Sequence, residues 1–130
     1  MDNKKVETEA VGRLVLSCAM KVHSALGCGL LESAYETCLA YELAKEDMAV
    51  ARQVALPIVY QGVRLDAGYR LDLLVGDSVI VEVKAVEKFA PVHTAQLLSY
   101  LKLSGHKLGF LLNFNVVHMR DGIKRIVNNL

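Results

Sequence analysis

Apolar residues recur along the first part of the chain at the spacing of a helix. Val11, Leu14, Val15, Cys18, Val22 and Leu26 make one stripe, which predicts a helix over residues 6–26. Gly27-Cys28-Gly29 ends it, and a second helix, rich in Leu, Ala and Glu, follows from about Leu30 to Asp47. So short a connection makes the two helices antiparallel neighbours. From Ala49 the period changes. Val50–Tyr60 is β-branched and apolar, with Pro57 marking an edge position or a strand end, and Gln61-Gly62 reads as a turn. Tyr69–Val75 and Ser78–Ala85 are two further strands around Gly76-Asp77. Pro91 opens a third helix that runs to Gly105, Lys107–Asn113 is an apolar strand, and Gly122–Val127 is a last short one. The order ααβββαββ, with no repeat or linker, predicts a single α/β domain over residues 1–130, a mixed sheet flanked by helices.

The hairpin between Gly68 and Lys84 is the most informative stretch. Alternate residues of a strand share a face, so Leu71, Leu73 and Val75 go together, as do Val79, Val81 and Val83. All six positions are odd. In an antiparallel pair they share a face only if paired numbers sum to an even value. A two-residue turn at Gly76-Asp77 would pair Val75 with Ser78 and set Leu71 against Glu82. Burying the apolar set on one face therefore requires an odd-length loop or a bulge. A loop over residues 76–78 sets Val75 against Val79 and Asp72 against Glu82, with Lys84 on the same polar face.

Composition narrows the picture. The 130 residues carry 15 basic and 14 acidic side chains, a formal charge of +1, which argues against a histone-like coat and against an acidic tail. Residues are 53% hydrophobic, yet no run approaches the ~18 apolar residues of a membrane span, so the apolar excess belongs in strands and helix faces. The N-terminal Met1–Val6 lacks an apolar signal core, and Cys18, Cys28 and Cys38 lack zinc-type spacing; a reduced, cytoplasmic setting with Cys18 and Cys38 as core residues is expected. The near-zero charge hides an asymmetry: residues 84–125 hold seven Lys/Arg against Glu87 and Asp121, while residues 1–65 hold seven basic and eight acidic. That basic half is as readily a solvated face as a phosphate track. With no Trp, extensive base stacking is not signalled.

Two carboxylates a few Å apart repel, and one of them tends to protonate. A divalent cation reverses that problem, and hard oxygen ligands with open positions suit Mg²⁺ or Mn²⁺. The bland reading of the same residues is a solvated sheet face with a Glu82–Lys84 ion pair. Helix geometry adds polar groups in clusters: Glu32 and Tyr35 share a face, and His93, Gln96 and Tyr100 share another, above a buried stripe of Leu97, Leu98 and Leu101. Glu36 reads as an ordinary helix-surface residue and His23 as a structural or exposed histidine. For Tyr35 and Tyr100 a core position with a satisfied hydroxyl is the favoured reading from the residues alone.

Gly29-Leu-Leu-Glu32-Ser-Ala-Tyr35 has the pattern G-x-x-E-x-x-Y, and it is followed by the Asp72 strand, by Glu82-Val-Lys84 and by Gln96-Leu-Leu-Ser-Tyr100. From about Val11 to Val127 the chain resembles the GxxExxY protein family, a branch of the PD-(D/E)XK nuclease superfamily. The resemblance implies a restriction-endonuclease-like core. It implies that Asp72 and Glu82 hold a metal, Mg²⁺ or Mn²⁺, with Glu32 completing the site and the Val83 backbone carbonyl as an extra ligand. Lys84 matches the superfamily lysine, and Gln96 and Tyr100 resemble the Q-x-x-x-Y element of RecB-like nucleases. Tyr35, Arg70 and His93 are supporting candidates. Cys28 stands where a proline is expected between the glycines, and Leu71 where a proline often precedes the aspartate; neither touches a ligand.

The function implied is metal-assisted hydrolysis of nucleic-acid phosphodiesters, with DNA ahead of RNA and no membrane involvement. Lys84 serves as a positioner of water and a stabiliser of phosphate charge, oriented by Gln96. A homodimer or larger partner would help so small a chain grip a duplex. Two rivals stand beside this reading: a catalytically silent nucleic-acid-binding or protein-interaction module on the same fold, and a protein whose polar sheet face is incidental. Metal binding discriminates among the three.

Overall fold

A computed structural model describes residues 3–130. Helix α1 (Asn3–Leu26) starts earlier than its apolar stripe requires, and Gly27 ends it in a left-handed conformation (φ 67°) with its N–H on the His23 carbonyl. Helix α2 (Glu32–Lys45) is shorter than predicted at both ends, because Leu31 is extended and Asp47 turns left-handed at φ 57°. The strands are β1 (Val50–Ala55), β2 (Ile58–Tyr60), β3 (Val63–Leu65), β4 (Arg70–Val75) and β5 (Val79–Lys84). Helix α3 (Pro91–Ser104), β6 (Leu108–Asn113), a 3₁₀ turn at Met119–Gly122 and β7 (Ile123–Val127) complete the chain.

The predicted first strand divides in two. Proline has no N–H for a ladder, so the run breaks at Leu56-Pro57. Residues beyond it pair as a separate β2–β3 ribbon, Tyr60 opposite Val63, around left-handed Gln61 and Gly62 (φ 50° and 76°), the backbone that a two-residue hairpin turn requires. The predicted order thus gains a hairpin between its first two strands. The remaining strands form a five-stranded sheet in the order β1-β4-β5-β6-β7. All neighbours are antiparallel except β5 and β6, which run parallel with α3 between them in the chain, so the sheet is mixed as expected.

The helices cover both faces of this sheet. Val15, Cys18, Val22, Tyr35, Leu39 and Leu43 of α1 and α2 pack against Leu73, Val75, Val79, Val81, Val83, Phe110 and Leu112. On the other face, Leu97, Tyr100 and Leu101 of α3 pack against Leu71, Ile80, Leu111 and Ile126. β5 and β6 are therefore buried on both sides, and each enclosed Leu or Val contributes about 1.5–3 kcal/mol relative to exposure. Cys18 lies in the core, Cys38 packs against it, Cys28 is exposed, and all three are free thiols. His23 is a structural residue: its Nε2 donates to the Val116 carbonyl at 2.8 Å.

The hairpin register follows the parity argument. Val75 pairs with Val79, Leu74 with Ile80 and Leu73 with Val81, around a loop of residues 76–78. Gly76 sits there at φ 58°, and a Cβ on it would lie 3.0 Å from the Met48 sulfur and 3.2 Å from Val11. One position departs from expectation. Leu73, Val75, Val79, Val81 and Val83 share the α1/α2 side, but Leu71 packs on the α3 side. The alternation of β4 breaks between Leu71 and Leu73, at Asp72.

Candidate active site

The break at Asp72 is where β4 and β5 stop pairing through their backbones. Their paired register ends at Leu73–Val81, and side chains take over. The Asp72 N–H donates to Glu82 Oε2 at 2.8 Å, and the Val83 N–H donates to Asp72 Oδ2 at 2.8 Å. Each carboxylate thus occupies the place of a ladder carbonyl and satisfies a backbone donor of the other strand. The two acids that parity set on one polar face are brought together in this way.

β1 contributes to the same place by an unusual conformation. Arg52 pairs with Leu73 and Val54 with Leu71, so Gln53 stands opposite Asp72, but no bridge forms between them. Gln53 is left-handed at φ 50° in mid-strand. Ordinary alternation sends adjacent residues to opposite faces. Here both Arg52 and Gln53 reach Glu36 of α2: Arg52 Nε and Nη2 donate to Oε2 at 3.2 and 3.0 Å, and Gln53 Nε2 donates to Oε1 at 2.9 Å. The same Gln53 amide nitrogen lies 3.5 Å from Asp72 Oδ1. Expected on the helix surface, Glu36 is instead 7% exposed, because the Arg52 charge and the Gln53 amide of β1 compensate its burial.

The electrostatics single out Glu82. It is 4% exposed, and burial together with the neighbouring Asp72 charge pushes its carboxyl up to about 8. The Asp72 backbone N–H and the charge of Lys84 pull the other way, while Glu36 adds to the rise. Lys84 is half-buried and forms no ion pair among the described residues, so the Glu82–Lys84 pair of the bland reading is absent there. Tyr100 of α3 faces the same field. Burial, then Glu82, Tyr69 and Asp72, hold its phenol above the usual range, and its ring meets Tyr69 edge-on at 5.9 Å.

Other expected residues have different local roles. Tyr35 is fully buried and stacks on Phe114 at 4.6 Å, donates its hydroxyl hydrogen to the Gly27 carbonyl at 2.7 Å and accepts the Leu30 N–H at 3.2 Å. It pins the glycine loop between α1 and α2. His93 starts α3: its Nδ1 accepts the Ala90 N–H at 3.0 Å while the Ala90 carbonyl accepts the His93 N–H at 2.9 Å. Arg70 is exposed and tied to the Tyr69 carbonyl at 2.8 Å and to Asp66 at 3.8 Å. Glu32, one turn before Glu36, is half-buried and makes no hydrogen bond or ion pair among the described residues. Gln96 is half-buried, one turn before Tyr100 on α3. The Val83 N–H is spent on Asp72.

Sequence reasoning missed three contributors: Glu36, Gln53 and Asn113. Asn113 is 2% exposed, accepts the Val86 and Asn115 N–H groups at 3.1 Å, and donates to the Val86 carbonyl at 2.9 Å. Paired with Lys84 in the β5–β6 register, it fastens the chain as it leaves β5. A lone Asn closing the apolar run Leu-Gly-Phe-Leu-Leu was the available signal. A cleft of about 580 Å³ lies elsewhere, between the start of α1, the 76–78 loop and His106-Lys107, and includes none of these groups.

Among the described residues, no group of three or more His, Cys, Asp or Glu side chains is gathered as a metal cage. The donors still fit a hard divalent cation. Mg²⁺ keeps several waters and needs only one or two carboxylates. Among the described residues Glu82 Oε1 accepts no hydrogen bond, and the burial and neighbouring Asp72 charge that raise the Glu82 carboxyl are what a cation would offset. No helix among the described residues is long and apolar enough to cross a membrane. The profile of a family described as the PD-(D/E)XK nuclease superfamily matches residues 9–126. No curated protein and no solved structure matches the chain at a significant level.

Proposed function

The chain belongs to the PD-(D/E)XK nuclease superfamily, and on that premise we propose that it hydrolyses phosphodiester bonds in nucleic acid with Mg²⁺ or Mn²⁺, acting on DNA in preference to RNA. The observation that carries the reading is the carboxylate pair at the divergence of β4 and β5. Asp72 and Glu82 hold backbone donors in place of a ladder, and Glu82 is buried under a charge stress that a cation removes. Membership in the GxxExxY branch rests on Gly29, Glu32 and Tyr35.

In this reading Asp72 and Glu82 hold the cation, with the Val83 carbonyl as a further donor and α2 supplying a third carboxylate. Glu36 is favoured over Glu32 for that place, since its field reaches Glu82. A bound divalent cation supplies acidification of water and charge neutralisation at phosphorus. Lys84 orients the attacking water and balances charge on the phosphate, Gln96 orients Lys84, and Tyr100 closes the α3 side. The basic residues between Lys84 and Arg125 contact the backbone of the substrate. The protein works in the cytoplasm, and a second copy supplies the surface needed to grip a duplex.

The test is cleavage of single-stranded, duplex, branched and RNA substrates with Mg²⁺ or Mn²⁺, with Asp72→Asn as control. Metal-dependent cleavage lost in Asp72→Asn is expected. Nucleic-acid binding without any metal response would replace this reading with the silent module.

A further inference from the structure

Gln53 is the one residue of β1 with a positive φ, and it stands opposite Asp72. Left-handed φ is unfavourable for a residue with a Cβ, and nothing about a strand interior calls for it. Such a conformation persists only where the surroundings impose it, and it collects at functional sites. The surroundings here are explicit. Arg52 and Gln53 both grip the buried Glu36, which normal alternation would forbid. The two hydrogens of the Gln53 amide then serve two carboxylates, Glu36 Oε1 at 2.9 Å and Asp72 Oδ1 at 3.5 Å. The break in alternation passes to β4, where Leu71 and Leu73 part to opposite faces and Asp72 is freed from the ladder.

We infer that Gln53 is a positioning residue for Asp72: held by Glu36 through a strained backbone, its amide sets the direction of the Oδ1 oxygen and keeps Asp72 turned toward Glu82. The inference deepens the proposed function and rests on it, since a fixed Asp72 matters only if that carboxylate binds a cation. Asp72 is held from two sides, its Oδ2 by the Val83 N–H and its Oδ1 by Gln53. With both oxygens directed, the carboxylate does not have to be ordered when a cation arrives.

Two variants separate the amide from the strain. Gln53→Ala removes the amide and keeps the strained backbone; Gln53→Gly removes both. Melting temperature, Mn²⁺ affinity by electron paramagnetic resonance of free Mn²⁺, and kcat and KM on a cleaved substrate are measured for each. Gln53→Gly is expected to melt above Gln53→Ala, while both bind Mn²⁺ at least ~10-fold more weakly than wild type and lose kcat with little change in KM. Wild-type Mn²⁺ affinity in either variant would overturn the positioning role, as would an affinity that follows melting temperature instead of the missing amide. A wild-type protein that binds no Mn²⁺ would remove the metal reading itself, and this inference with it.

Discussion

Glu82 accepts the main-chain N–H of Asp72 at 2.8 Å, so the residue whose charge crowds the Glu82 carboxyl also supplies the donor that holds it. Burial, with the Asp72 charge added to it, prevails over that donor: the carboxyl stands at about 8, against 4.5 for an unperturbed one. A folded carboxyl that binds its proton more tightly than the unfolded chain makes the folded state bind more protons between those values. Stability is then fully present below about pH 4.5 and is lost as pH rises through about 8, the reverse of a salt-bridged acid. The metal-free wild type is expected to lose more stability between pH 5 and pH 9 than Glu82→Gln does, by roughly 1 kcal/mol or more. Equal slopes in paired urea titrations would refute the account.

The same proton bears on metal uptake. At pH 7 a carboxyl at about 8 is mostly protonated, so a cation that uses it must displace a proton. Mn²⁺ titration calorimetry in buffers of different ionisation enthalpy is expected to register close to one proton released in wild type, and markedly less in Glu82→Gln.

Glu36 and Glu32 are one helical turn apart but predict different outcomes. Glu36→Ala strips Arg52 and Gln53 of a buried acceptor and is expected to cost about 1–3 kcal/mol of stability as well as Mn²⁺ affinity. Glu32→Ala removes no hydrogen bond and is expected to stay within about 0.5 kcal/mol of wild type. Denaturant midpoints and Mn²⁺ affinities of the two variants decide which carboxylate of α2 serves the site.

Tyr35→Phe deletes the donor to the Gly27 carbonyl and the acceptor of the Leu30 N–H while keeping the stack on Phe114. A loss of about 1–2 kcal/mol is expected, with cleavage per folded molecule unchanged. A selective loss of cleavage at full stability would return Tyr35 to the site.

Lys84 carries no ion pair among the described residues, so Lys84→Ala is expected to abolish cleavage while shifting stability by no more than about 0.5 kcal/mol. Cleavage retained by a folded Lys84→Ala protein would refute its role.

Much of the fold was legible because parity is a strong constraint. Six odd-numbered apolar residues admit few registers, and the 76–78 loop that places Asp72 beside Glu82 follows from burying them. The parity argument failed at the single residue where alternation itself fails. Leu71 changes sides beside Asp72, opposite Gln53, eighteen positions earlier in the chain, whose backbone is left-handed, and nothing in Arg-Gln-Val announces that. Glu36 was misjudged for the same reason: its burial depends on two partners from a strand whose ordinary geometry offers only one. The β2–β3 ribbon was hidden because β-branched residues recur on both sides of Pro57 in Val50–Tyr60, and Pro57 admits either an edge position or a break.

The amides of Asp72 and Val83 donate to side chains, where neighbouring strand residues donate to carbonyls that cannot leave. A carboxylate has lone pairs enough for a backbone donor and a cation together, so the site can fill while the acids still fasten the sheet. Only a ligand that swings an acid away releases its amide. The exchange rates of those two amide protons are an inbuilt gauge, slow while the acids bind in the geometry held here and faster if either is pulled out of it.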